Sequence, residues 1–318
     1  MAAPVMSQLE LRLLTSLAIS HKRTLKNSDI KQAFVQSSLP SNETYYVKPP
    51  VGCPRSKPNS YWRLIRSLYG LRRAPKLWYE THLTSMGLKC SSNSPCLFLG
   101  TLIDGEAPIY AGIYVDDIIY FSPSDAVKKK FEKLLSTIGN VDYMGKVSHF
   151  LGIEFSQQEQ QNGHLSVTLT QQSFTESLLE NLDVPVQPSS SFISPYRSGI
   201  SIDSIPVQEM TSTERDKLRL QHQSLFGSLN WLAHTTRPDI SAVVSLLAQH
   251  QSLPSKGHLD AAIYVAKYLS HTSNLGLYFN SSNRSTLETF LHFPVPSTVL
   301  SMADANWGPQ DASLNFTI

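Results

Sequence analysis

Apolar residues recur at helical spacing in SQLELRLLTSLAIS (7–20), where Leu9, Leu11, Leu13, Leu14, Leu17 and Ile19 predict one helix. The next segment, TLKNSDIKQAFVQSSL, sets Asp29 ahead of Ile30, Ala33, Phe34 and Val35, and reads as a strand end turning into a short helical segment. In APKLWYETHLTSMGL (74–88), Pro75 suits a helix start and Leu77, Trp78, Thr81 and Leu83 form the inner face. IYAGIYVDDIIYFSP (109–123) is β-branched and aromatic on both sides of two acids, which predicts a tight hairpin with exposed carboxylates at its tip. Beyond it, SDAVKKKFEKLLSTIGN is capped by Ser124 or Asp125 and carries the stripe Val127, Phe131, Leu134, Leu135 and Ile138. Helix, strand, helix, hairpin, helix suits an α+β sheet with helices on one face and the acids at one edge.

From Phe150 the texture changes. FLGIEFSQ and HLSVTLTQ read as strands about an Asn162-Gly163 turn, and QSFTESLLENL as a helix. VPVQPSSSFISP (184–195) reads as a linker. FGSLNWLAH, PDISAVVSLLAQHQ opened by Pro238, and GHLDAAIYVAKYLSHT predict three helices, then LGLYF a strand. A further strand starts at MADANWG.

The chain of 318 residues, 41% hydrophobic with net charge +2, has the composition of an ordinary globular protein. Three cysteines, Cys53, Cys90 and Cys96, cannot all pair and show no zinc spacing, so an intracellular, reduced setting is expected. No apolar run is long enough to span a membrane, and a signal peptide's basic start and cleavage site are not seen. Charge distribution says more than net charge. Residues 45–79 contain no acid, while Lys48, Arg55, Lys57, Arg63, Arg66, Arg72, Arg73 and Lys76 alternate with Tyr46, Tyr61, Trp62, Tyr69, Trp78 and Tyr79. That mixture fits a phosphate backbone with stackable bases, although a solvated helix face is also basic.

Asp116 and Asp117 raise a sharper question, because adjacent carboxylates repel and a buried pair needs a cation. Asp is common in turns, yet an Asp-Asp turn without glycine is not a favoured two-residue hairpin. With Asp29, the pair supplies the oxygen ligands of a two-magnesium site, which takes one or two carboxylates plus substrate phosphates and serves in-line displacement. Together with the basic, aromatic segment this is a polymerase arrangement.

YVDD between two apolar strands resembles the YxDD box of reverse transcriptases. DIKQAF, SLYGLRRAPKLWY, FLGIEF and GSLNWLAHTTRPDI, in that order, resemble blocks of the reverse transcriptase domain in the Gag-Pol polyprotein of copia-type (Ty/copia, Pseudoviridae) LTR retrotransposons. The resemblance implies an α+β right-hand polymerase: a mixed palm sheet with helices on one face, partial fingers, a thumb, a connection region and a truncated RNase H start. Fingers and palm would occupy 1–149, a primer-grip-like turn and thumb 150–185, the linker 186–214, the connection-like helices 215–280, and the RNase H start 281–318.

By the same resemblance Asp29, Asp116 and Asp117 hold two Mg²⁺ ions, with Mn²⁺ as a substitute and the Ile30 carbonyl as a further ligand. Phe34, otherwise plain core, would lie under the incoming sugar and exclude a 2′-hydroxyl. Tyr69, Gly70 and Arg72 would line the nucleotide and template side. Lys146, otherwise a solvated lysine, would sit near the leaving phosphates, and Phe150, Leu151 and Gly152 would grip the primer. Asp304 would be a vestigial RNase H ligand, and Arg237 with Asp239 a structural pair and helix cap.

The implied activity is RNA-directed DNA synthesis on an RNA template from a DNA or tRNA primer with dNTPs, without a membrane. Protein partners would be a second copy or other polyprotein regions, in cytoplasmic virus-like particles or the nucleus. The family segment whose Lys and Arg hold the triphosphate is not seen before MAAPVMSQLELRLL, so truncation at both ends is expected. Arg73 stands where the family commonly has Gln. The rival expectation is an inactive remnant that binds nucleic acid through its basic patch; a metal-dependent nuclease ranks third.

Overall fold

The computed structural model describes residues 5–54, 57, 59–160, 163–182, 184, 194–196, 202 and 210–281. Asn162, most of the expected linker, and Asp304 with everything past Ser281 lie outside the described residues. Met1–Ser281 form one compact unit.

Helix α1 (Gln8–Ser20) starts where the hydrophobic spacing does, because Ser7 and Glu10 close a reciprocal capping box. Strand β1 (Lys26–Ile30) and the short α2 (Ala33–Gln36) follow as predicted. β2 (Tyr46–Val47) and β3 (Trp62–Arg63) pair as a small ribbon inside the basic segment. Helix α3 (Ala74–His82) carries Pro75 in its first turn and ends earlier than expected; Leu77, Trp78 and Leu83 are buried, but Thr81 faces solvent. Then come β4 (Lys89–Cys90), β5 (Leu97–Gly100), β6 (Ile109–Tyr114) and β7 (Asp117–Phe121). Next are α4 (Asp125–Leu135), capped by the Ser124 hydroxyl, and β8 (Val141–Lys146).

These strands form a six-stranded sheet in the order β4-β5-β6-β7-β1-β8. Every pairing in it is antiparallel, so the expected mixed sheet is corrected: β7 and β8 run parallel across the α4 connection, but β1 inserts between them and pairs antiparallel with both. Helices on one face are also corrected. After Asp117, every residue of β7 is buried, so both faces need cover. Ile119 and Phe121 pack against Leu11, Leu14 and Ala18 of α1. Ile118 and Tyr120 pack on the opposite face against Phe34, Trp78, Val127, Phe131 and Leu135 from α2, α3 and α4.

A second antiparallel sheet runs β12-β11-β10-β9, from β9 (His149–Phe150), β10 (Ile153–Glu159), β11 (Leu165–Thr170) and β12 (Leu277–Asn280). It joins residues from two of the segments separated in the sequence reading, and its Phe155, Val167 and Leu169 complete the core beneath α1. Helices α5 (Gln172–Asn181), α6 (Ser212–Thr235), α7 (Ser241–Ala248) and α8 (Lys256–His271) follow, with a 3-10 turn at Pro238–Ile240. α6 begins well before FGSLNWLAH, at a Thr211–Glu214 capping box.

Two arginines hold this helical part. Arg237, 2% exposed, makes a two-pronged bridge to Asp239 (3.0 and 2.8 Å), donates to the Thr272 carbonyl and lies 5.6 Å from the centre of the Tyr268 ring. The pair is structural as expected, but it supplies no side-chain cap for α7. Arg12 of α1 donates to the carbonyls of His234 and Thr235 at 2.5 and 2.7 Å, placing a cation on the last turn of α6.

Fully buried His222 on α6 has neither ring nitrogen hydrogen-bonded; burial, then the nearby His258 and His250, pushes its pKa down to about 4. Unfolding restores an ordinary histidine, so its contribution to stability is present above roughly pH 6.5 and is lost as pH falls toward 4. Urea unfolding followed from pH 7.5 to 4.5 is expected to show up to about 3 kcal/mol of acid destabilisation, most of it absent in His222→Leu. An unchanged acid slope in that variant would refute the assignment.

Candidate active site

β1 lies between β7 and β8, and this register places like charges opposite each other. Asp29 faces Asp117 on one side and Asp142 on the other. Cross-strand partners share a face, with Cβ atoms about 5 Å apart, so three neighbouring strands carry a row of three aspartates. Asp142 was not singled out in the sequence, and Lys31 bridges it at 2.8 Å, in line with that lysine's raised pKa.

Asp116 sits in the two-residue turn between Tyr114 and Asp117. The turn is strained in a defined way: Val115, a β-branched residue, is held at φ +58° where glycine is preferred. The Ile30 amide donates to the Asp116 carbonyl at 3.0 Å, locking the turn onto the end of β1. The carboxylates are therefore half-buried rather than exposed, correcting the sequence expectation. Burial pushes the pKa of Asp116 up, with Asp29 adding to it and the Tyr69 hydrogen bond opposing. Burial, then Asp29 and Asp116, does the same to Asp117.

Tyr69 donates its hydroxyl to Asp116 Oδ2 at 2.8 Å, while Asp116 Oδ1 is buried without a partner. Burial first, then this hydrogen bond, pushes the Tyr69 pKa up to about 12. The Tyr69 ring lies 4.9 Å from that of Phe34, which is itself core. Gly70, at φ +95°, leaves its backbone open, and Arg72 is exposed beside it. Arg73 pairs instead with Glu43, which also accepts from the Tyr45 hydroxyl at 2.7 Å. Lys48, Lys57, Arg63 and Arg66 are exposed on the same segment as exposed Tyr46, Tyr61 and Trp62.

Asp29, Ile30, Asp116, Asp117, Phe34 and Tyr69 thus come together. Lys146 does not join them: it pairs with Lys26, three residues and about 10 Å along β1 from Asp29, and donates to the Gln157 carbonyl. Phe150, Leu151 and Gly152 stand in the second sheet, where Leu151 (φ +53°) and Gly152 (φ +73°) make the β9–β10 turn beside Trp231.

Among the described residues, no three His, Cys, Asp or Glu side chains form a preformed metal cage. The donor set nonetheless fits magnesium, which keeps waters and substrate phosphates beside one or two carboxylates. The mutually repelling aspartates are the groups a hard cation would satisfy.

The reverse transcriptase (RNA-dependent DNA polymerase) family model matches residues 1–190, and the chain belongs to that family. Its relatives are of the copia type. A putative transposon Ty5-1 protein of Saccharomyces cerevisiae is 30% identical over 269 residues, covering 82% of this chain and 81% of that protein. The retrovirus-related Pol polyprotein from transposon RE2 of Arabidopsis thaliana is 28% identical over 291 residues, 91% of this chain. That from transposon TNT 1-94 of Nicotiana tabacum is 24% identical over 286 residues, 88% of this chain. The chain spans only 19% and 21% of those two plant polyproteins. No solved structure matches it. No helix among the described residues is long and apolar enough to cross a membrane.

Asp117 is ionised at a cost in the metal-free fold, since its pKa is higher there than in the unfolded chain. The penalty is present at neutral pH and is relieved as pH falls through the raised pKa. Without divalent ions, Asp117→Asn is expected to stabilise the chain by up to about 1 kcal/mol at pH 7, with the gain shrinking in acid. Urea titrations in EDTA at both pH values measure this; a loss of stability at pH 7 would show that the pair is not repulsive.

Proposed function

We propose that the chain is the polymerase domain of a copia-type retrotransposon, copying an RNA template into DNA from a DNA or tRNA primer. The observation that carries this reading is the cross-strand Asp29–Asp117 pair with Asp116 in the adjoining turn. A sheet gains nothing in stability from such a constellation, and a polyphosphate substrate with its metal ions needs it. The six-stranded sheet is then the palm, the β2–β3 ribbon belongs to the fingers, and the second sheet with the later helices forms the thumb and connection.

Asp29, Asp116 and, as a third ligand, Asp117 hold two Mg²⁺ ions, with the Ile30 carbonyl available beside them. When bound, the ions would supply the positive charge that phosphoryl transfer from a dNTP to a primer 3′-hydroxyl calls for. The protein's share is positioning: β1 and the Val115–Asp116 turn fix the carboxylates on rigid backbone. Phe34 lies beneath the sugar and excludes a 2′-hydroxyl by bulk. Tyr69, the open Gly70 backbone and Arg72 face nucleotide and template, and exposed Arg63, Arg66, Tyr61 and Trp62 offer charge and stacking surface to the template strand. The Phe150–Gly152 turn grips the primer backbone. Lys146, which donates to the Gln157 carbonyl on the edge strand β8, stands as the candidate near the leaving phosphates.

Primer extension on an RNA template with Mg²⁺ and dNTPs tests the reading. Asp116→Asn is expected to lower the rate by about three orders of magnitude. Phe34→Val is expected to raise ribonucleotide incorporation about tenfold or more relative to dNTP. Extension that survives Asp116→Asn would overturn the assignment.

A further inference from the structure

Tyr69 touches both halves of the site. Its hydroxyl occupies Asp116 Oδ2, and its ring lies against Phe34. The other Asp116 oxygen is buried, so the oxygen facing the open side is the one the phenol holds. The Tyr69 side chain comes from a turn in which the next residue, Gly70, takes φ +95° with open space around it, and Tyr69 is itself 46% exposed. It can therefore swing outward without unpacking core.

We propose that Tyr69 is a positioning residue that latches Asp116 shut: its hydroxyl covers the metal-binding oxygen until a nucleotide sugar, arriving on Phe34, displaces the ring and frees the carboxylate. The proposal rests on the reading of Asp116 as a metal ligand. Without a cation, the phenol proton partly replaces the missing positive charge, and the metal must compete with it. Because Tyr69 and Phe34 are in ring contact, sugar and metal binding share one moving part. No proton is transferred; one hydrogen bond breaks and one metal–oxygen bond forms.

Mn²⁺ binding to the full chain without nucleotide, followed by electron paramagnetic resonance, tests the latch independently of turnover. Tyr69→Phe keeps the ring contact and removes only the hydroxyl; it is expected to bind Mn²⁺ roughly three- to tenfold more tightly than the parent. In an Asp116→Asn background the same substitution is expected to change nothing, since the bond it deletes is already altered. Equal or weaker Mn²⁺ binding by Tyr69→Phe would overturn the latch and show the hydroxyl to be a support for the metal-bound carboxylate. Mn²⁺ binding that is indifferent to Asp116→Asn in the parent chain would instead remove the metal-ligand reading itself, and the latch with it.

Discussion

Asp29 and Asp117, opposite each other on neighbouring antiparallel strands, repel, and the surrounding structure keeps them there. Such a pair costs up to about 1 kcal/mol in a sheet. A loose hairpin would relax it by slipping, but a one-residue slip of β7 would turn Ile118 and Tyr120 toward the wrong core. Because both faces of β7 are packed, the register is over-determined and the charges cannot separate.

Secondary features follow from that constraint. The Val115–Asp116 turn accepts a left-handed valine because the Ile30 amide and the two flanking strands leave no alternative path. Lys31 offsets the outermost aspartate, and the Tyr69 hydroxyl stands on Asp116. The acid-free basic ribbon supplies opposite charge on the adjoining segment, with Arg73 tied to Glu43 and so withdrawn from that surface. Farther away, Arg12 on α1 and the buried Arg237–Asp239 bridge fasten the later helices.

Much of this was legible in the chain. The helical period of 7–20, the apolar runs flanking YVDD and the stripe after Ser124 fold where they point, because each local pattern agrees with its tertiary cover. Asp29, Asp116 and Asp117 stood out as candidates because acids are unusual in strand-forming surroundings, and the sheet register does bring them together. What was not legible is long-range. IIYF is apolar throughout, and a continuous run does not reveal that helices cover both sides of the sheet. Asp142 in VDYMGK carries no local signal, since only the register of β8 sets it opposite Asp29. That same register carries Lys146 away from the acids. Arg12 and His234 are 222 residues apart, and no periodicity links them.

The most direct measurement of the central claim is the thermal midpoint of the chain as Mg²⁺ is raised from zero, beside Asp29→Asn. If the repelling aspartates are a metal site, the parent midpoint climbs with Mg²⁺ as binding to the folded state requires, while the variant's stays flat. A parent midpoint indifferent to Mg²⁺ would mean that the carboxylates do not hold the ion, and the account of why the sheet keeps them together would fail.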